Sequence, residues 1–403
     1  MKVYSHITQL LTLAGAHQKD GRKLLDEDLS IVEDAAIVMD DNLIHWVGKT
    51  QDLPSDYEKI PRTNLSEHIV TPEIVDSHTH LVFGGNRSFE YGLRLKGASY
   101  EEIAAAGGGI LHTADKTAHL SEEELFKTAC QRVDRIHSYG VGTIEIKSGY
   151  GLTFEAEYKI SKIINKLKDH FKGRVQIIRT YMAAHAVPKS FKDSAHFVNE
   201  VVLPLMEKLH SEKMIDIVDV FHEKNYFTDE DTRFVFEKAL ALGLHVKMHA
   251  DEMNDNNGAS LATEYSALSA DHLLQVSDEG IRALAKSSTV ATLLPGTAFF
   301  LGKALAPARH MIEAGVKVAM ASDYNPGSCH CDNLILLASI SAKNLAMTPV
   351  EIWAAITLNA SHALNLREQG AVIPGLEPKL SIFKASTHEE IFYSWGHNLA
   401  IKI

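Results

Sequence analysis

Eight short runs rich in β-branched and small apolar residues recur through the middle of the chain, separated by stretches of helical character. They are Ile74–Ser77, Gly142–Ile146, Arg174–Thr180, Ile215–Phe221, His245–His249, Ala267–Asp271, Thr289–Leu294 and Val316–Ala321. Near-continuous apolar strands alternating with helices predict a parallel sheet, because such strands are covered on both faces. Eight units predict closure into a (β/α)8 TIM-like barrel, an α/β fold whose size suits 403 residues once an accessory piece is added. Ser121 and Glu124 have capping-box spacing, and Gly140 falls where that helix would end. The first unit is atypical, since Leu81–Leu120 intervenes before the second strand. Long segments after barrel strands are where binding groups sit.

Both ends of the chain have a different rhythm. Ala35–Met39 and Leu43–Val47 flank Asp40–Asp41–Asn42, a hairpin signal, and Leu380–Phe383 and Ile391–Trp395 read as short strands. We therefore expect residues 1–66 and 366–403 to meet in a small β-sandwich domain, with the catalytic barrel spanning residues 67–365. Leu10–Leu13 followed by Ala14–Gly15–Ala16 faintly resembles a signal peptide, but Ser5, His6 and Gln9 interrupt the apolar run and only Lys2 precedes it with positive charge. A first strand is the better reading, and no apolar run is long enough to span a bilayer. The net charge of −12 opposes nucleic-acid binding, which needs a basic footprint. Three cysteines, Cys130, Cys329 and Cys331, are too few for a disulfide framework and suit a reducing cytoplasm. Cys329 and Cys331 flank His330, but no second ligand pair lies nearby, so they read as loop residues.

A barrel of this kind places its chemistry at the C-terminal ends of its strands. The first strand ends in Val75–Asp76–Ser77–His78–Thr79–His80, and residues two apart share a face, so His78 and His80 can share one metal ion. One such pair means little among 22 histidines. The fifth strand adds His249 with Glu252 three residues on, the sixth ends at Asp271–His272, and the eighth ends at Asp323. Each residue alone reads as a buried polar group or a helix cap; four coinciding strand ends do not. Three imidazoles and a carboxylate suit zinc or iron better than magnesium or calcium. Zinc lowers the pKa of a bound water to about 7. Glu252 is placed to take its proton and pass it to a leaving nitrogen, and His272 to orient the nucleophile or polarise the carbonyl. The fourth strand ends Val220–Phe221–His222–Glu223, with Lys224 just past it, so no bridging lysine is expected and the site reads as mononuclear. Gly107–Gly108–Gly109 lacks the lysine and the preceding strand of a phosphate loop.

The segments His78–Ile110, Ile144–Leu152, Ala183–Pro188, Met248–Glu252, Ala270–Leu273 and Ser322–Ser328 together resemble the amidohydrolase superfamily, and within it the members that open the ring of an imidazolone. The resemblance implies hydrolysis of 4-imidazolone-5-propanoate to N-formimidoyl-L-glutamate in histidine degradation. It implies one divalent or trivalent ion per chain, zinc or iron, on His78, His80, His249 and Asp323, with Glu252 and His272 catalytic. It also implies substrate contacts from Arg87, Tyr150, His185, Glu252, Asn325, Gly327 and Ser328, and a homodimer. These assignments make physical sense. Arg87 can bind the substrate's propionate carboxylate bidentately. Tyr150 offers a hydroxyl, and His185 lies just past the third strand. The turn at Asn325–Ser328 would expose backbone N–H groups to an anion. Taken singly, Arg87 would be a surface ion pair, Tyr150 a packing residue, and His185 and the turn ordinary loop features. Glu73 stands where relatives usually have Gly, and Gly375–Ser381 departs from the usual pattern; both lie away from the proposed ligands. Two other functions remain open: a purine or pyrimidine aminohydrolase with the same ligand set, and a non-catalytic barrel scaffold, which would be expected to have lost ligands.

Overall fold

The computed structural model describes residues 1–98, 102 and 108–401. Gly107, and residues 99–101 and 103–106 of the long first loop, lie outside the described residues, as do 402 and 403. The strands in chain order are β1 Lys2–Leu11, β2 Ile31–Met39, β3 Ile44–Lys49, β4 Arg62–Asn64, β5 His68–Pro72, β6 Ile74–Asp76, β7 Val141–Lys147, β8 Gln176–Ala184, β9 Ile217–His222, β10 His245–Ala250, β11 Ser269–His272, β12 Val290–Leu293, β13 Val318–Met320, β14 Leu380–Lys384 and β15 Ala400–Ile401.

Strands β6 to β13 form one sheet of eight, each paired in parallel with its sequence neighbour. A parallel bridge between Thr79 and Tyr324 joins its two edges just past β6 and β13. The expected barrel is therefore present, and its two edges meet beside His78, where Asp323 N–H donates to His78 O at 3.0 Å. Strands such as β7, β9 and β13 are buried along their whole length, as a sheet covered by helices requires. The helices start where hydroxyls satisfy free N–H groups. Ser121, Thr153, Thr228 and Ser277 accept from Glu124, Ala156, Asp231 and Gly280, and Ser121 and Thr228 complete capping boxes. Gly140 follows the helix Glu122–Ser138 at φ 90°, a conformation that favours glycine. Arg132 of that helix donates to Leu81 O and Phe83 O at 2.7 and 2.8 Å and lies over the Phe83 ring, anchoring the chain as it leaves the first strand.

Both chain ends meet in a second sheet of seven strands, in the order β15-β14-β5-β1-β2-β3 with β4 alongside β1. It has its own apolar cluster around Ile7, Leu10, Ile37, Val70 and Ile382. Strand β5 belongs to this sheet, pairing with β1 and β14, and residue 73 alone separates it from the barrel. One expected strand is not there. Ile391–Trp395 lies largely in the helix His388–Tyr393, and β15 takes the edge position beside β14. Glu389 and Glu390 favour the positive end of that helix, Ser386 N–H donates to Glu390 at 2.8 Å, and Phe392 packs on Trp353 of the barrel. Among the described residues, no helix is long and apolar enough to cross a membrane.

Candidate metal centre and substrate pocket

Strand ends bring three imidazoles to one point. Among the described residues, one histidine, cysteine and carboxylate group could hold a metal ion: His78, His80 and His249, with ligand atoms all within 4.8 Å of one another. His80 Nε2 lies 3.2 Å from His78 Nε2 and 3.4 Å from His249 Nε2. Asp323 Oδ1 stands 3.5 Å from His78 Nε2 and 3.7 Å from His80 Nε2, so the expected fourth group faces the same point. All four are buried, with exposures of 0 to 3%. Asp323 sits at φ 51° and His272 at φ 78°, left-handed conformations that cost a non-glycine residue energy and cluster at functional sites.

The donor set fits a cation. Burial, reinforced by Lys147 and by the crowding of imidazoles that cannot all be protonated together, holds His78, His80 and His249 well below the ordinary imidazole pKa, so they are neutral and can offer lone pairs. Burial pushes the Asp323 carboxyl up to about 6, a direction that a bound cation would reverse. The far sides of two imidazoles are held by carboxylates. His78 Nδ1 donates to Asp271 Oδ2 at 2.7 Å and His249 Nδ1 to Asp219 Oδ1 at 3.1 Å, which leaves each Nε2 as the lone-pair nitrogen. Thr297 donates its hydroxyl to Asp323 Oδ2, leaving Oδ1 to face the imidazoles. The fourth strand supplies no ligand. His222 pairs with Asp229 at 2.8 Å, while Glu223 accepts from Met253 N, Asn254 and Asn256.

A pocket of about 470 Å³ opens above this point and is lined by Arg87, Tyr150, His185, Glu252, His272 and Asn325 among others. Glu252 Oε1 lies 3.7 Å from His272 Nδ1, and both ring nitrogens of buried His272 lack hydrogen-bond partners. His185 stacks on His80 at 5.0 Å, donates from Nδ1 to Gly149 O at 3.1 Å, and is pushed down to about 4 by burial. Tyr150 packs 5.8 Å from His80, and burial raises its phenol. Arg87 is held side-on by Glu90, and an added Cβ on Gly327 would lie 2.0 Å from Arg87 Nη1.

The turn after Asp323 differs from expectation. The N–H groups of Gly327 and Ser328 both donate to the Asn325 carboxamide oxygen at 2.8 Å, so they are spent within the turn rather than offered to an anion. Asn325, Gly327 and Ser328 line the pocket all the same. Cys329 and Cys331 are free thiols with no place in the metal cluster. Glu90, Asp219, Asp271 and Thr297 were not assigned from sequence, nor were Phe221, Tyr226 and Arg94 of the pocket wall. For Asp219 and Asp271 the signal available was a charge inside an otherwise apolar strand; Glu90, Arg94 and Thr297 lie on helices and gave no such signal. A larger cleft, about 1050 Å³, lies at the opposite ends of β7 and β8 against the second sheet, and its walls mix charges without a convergent donor set.

The amidohydrolase family model matches residues 69–402. An imidazolonepropionase of Bacillus velezensis is 41% identical over 399 residues, covering 98% of this chain and 93% of that protein. One from Paracoccus denitrificans is also 41% identical, covering 91% of this chain and 92% of its own. In structure the chain resembles an atrazine chlorohydrolase from Arthrobacter aurescens solved with zinc, with TM-score 0.72, 14% identity and coverage of 99% and 93%. It also resembles a 5-methylcytosine deaminase from Klebsiella pneumoniae, with TM-score 0.72, 14% identity and coverage of 97% and 94%. At that identity the structures speak for the fold alone. The full-length sequence identity goes further: the chain belongs to the amidohydrolase family and, within it, to the imidazolonepropionases.

Proposed function

We propose that the chain hydrolyses the cyclic amide of 4-imidazolone-5-propanoate to N-formimidoyl-L-glutamate, the third step of histidine degradation. The convergence of three neutral imidazoles on the floor of a pocket that also contains a guanidinium carries this function. His78, His80, His249 and Asp323 would hold one ion, zinc or iron. When bound, the ion lowers the pKa of a water and so supplies the nucleophile. Glu252 would accept a proton from the attacking water and return it to the leaving ring nitrogen. The water oxygen ends on the carbonyl carbon as the new carboxylate, and the ring C–N bond breaks. His272, whose ring nitrogens have no other partner, orients the nucleophile or polarises the carbonyl. Arg87 receives the propionate, and Tyr150, His185, Asn325, Gly327 and Ser328 shape the wall around the ring. The sequence relatives favour this substrate over a nucleobase, although deaminases share the fold. We extend the family resemblance to a cytoplasmic homodimer; sedimentation of the purified chain checks the oligomeric state.

The direct test offers imidazolone propionate beside cytosine and guanine and follows ring absorbance. Turnover of the imidazolone alone is expected, abolished by a chelator and restored by zinc or iron. Full activity in a metal-free sample, or turnover of the nucleobases instead, would refute the assignment.

A further inference from the structure

Below the histidines the barrel interior is charged, where a barrel of this kind is ordinarily filled by branched aliphatic side chains. Glu145, Lys147, Asp219, Lys247 and Asp271 come from β7, β9, β10 and β11, and each side chain is 0% exposed. Lys147 Nζ lies 2.8 Å from Glu145 Oε2 and 2.7 Å from Asp219 Oδ2. Lys247 Nζ donates to Ser77 O at 2.7 Å and lies 3.1 Å from Glu145 Oε2 and 3.4 Å from Asp271 Oδ2. Glu145 therefore bridges the two ammonium groups, and its Oε1 accepts the Thr180 hydroxyl at 2.6 Å. The outer carboxylates of this chain of contacts are the two that hold His249 and His78.

Stability is a poor reason for such a layer. Buried ions must be stripped of water, and well-packed apolar residues of equal volume commonly serve as well or better. What an apolar layer cannot do is fix two carboxylates against two imidazoles. We infer that Lys147 and Lys247 are positioning residues for the metal-binding histidines, acting through Asp219 and Asp271 with Glu145 as the link between them. The inference rests on the metal assignment above. Lys147 sits closest to the Asp219–His249 pair, with Asp271 Oδ2 at 3.9 Å, and Lys247 lies 3.4 Å from the Asp271 that holds His78.

The test uses the full chain, with zinc affinity read by competition with a chelator and ligand geometry by the visible spectrum of the cobalt(II)-loaded protein. Lys147→Met and Lys247→Met are expected to weaken zinc binding about 10–100-fold, the usual effect of losing an outer-shell partner, and to change the cobalt spectrum. A purely electrostatic role predicts the opposite sign, since deleting an ammonium near the site would tighten a cation. The double variant Lys247→Met/Glu145→Gln removes one charge of each sign, and it carries the test if the single variants do not fold. Unchanged or tighter zinc affinity with the wild-type cobalt spectrum, in a folded variant, overturns the inference. His249→Ala separates this from failure of the metal assignment: if it retains zinc like the wild type, the assignment falls first.

Discussion

Arg87 and Glu90 lock side-on, Nε to Oε1 at 2.8 Å and Nη2 to Oε2 at 2.7 Å, one turn apart at the start of the helix Ser88–Leu95. Glu90 Oε1 also accepts the N–H of Gly109 at 2.9 Å, so one carboxylate joins the two ends of the segment beside the pocket. A guanidinium offers more than one donor edge to carboxylates. Glu90 occupies the side-on edge and leaves the Nη1 end for a second anion. Arg87→Ala is expected to raise KM by roughly 10–150-fold, from loss of about 1.5–3 kcal/mol of charge-assisted bonding, with a smaller change in kcat. Glu90→Gln leaves the cation but loosens its aim, and about a tenfold rise in KM is expected. Steady-state kinetics with both variants checks this; unchanged KM in Arg87→Ala removes it from the substrate site.

Gly327 is constrained by space rather than by backbone conformation. A Cβ there would meet Arg87 Nη1 at 2.0 Å, and that atom is the far end of a flexible side chain. Gly327→Ala should fold, but moving the guanidinium strains its two bonds to Glu90, so a modest fall in Tm is expected. The shift removes it from its place against the turn, so KM should rise together with that modest fall. A large fall in Tm with normal KM would show that the turn, not Arg87, needs the glycine.

The barrel and the meeting of His78, His80 and His249 were legible because both follow from strand logic. Alternation predicts eight parallel strands, and residues two apart at a strand end share a face, which puts His78 beside His80. The groups holding those histidines were not legible. Asp271 pairs with His249 across β10 and β11, yet its side chain holds His78 of β6, a contact that strand register does not predict. Lys147 and Lys247 were not singled out, since one charge in or beside an apolar run says nothing of its partners. Glu90 was hidden because its helix lies in a segment read as loop. The Asn325 turn was misjudged because its side chain takes the backbone donors that the sequence seemed to leave open, a local competition among short polar residues.

Glu252 stands beside His272, outside the metal-competent group, and its proposed role is proton transfer. It lines the pocket and lies 3.7 Å from His272, while the metal-competent group consists of the three other histidines. Glu252→Gln keeps the shape and removes the base. Zinc content should stay at the wild-type ratio, and kcat should fall by about 10²–10⁴-fold. Metal analysis beside single-turnover kinetics checks both halves. Near-normal turnover would shift the base role to His272.

His362 makes acid stability of this fold a measurable property far from the chemistry. It is 5% exposed, 3.1 Å from Lys317 Nζ at the start of the last barrel strand, with Asp20 of the N-terminal segment 3.7 Å away. Burial, followed by the Lys317 charge, pushes the imidazole down to about 3 from an ordinary 6.5. The unfolded chain thus binds a proton that the folded chain refuses, so this group favours folding above pH 6.5 and that advantage is lost as pH falls toward 3. The slope is about 1.4 kcal/mol per pH unit for one such group across the window. His362→Gln cannot charge and should flatten the acid limb of a stability-versus-pH curve between about pH 6.5 and 3. Denaturant titrations at several pH values measure it, and a variant whose acid limb keeps the wild-type slope would show that His362 is not the group being titrated.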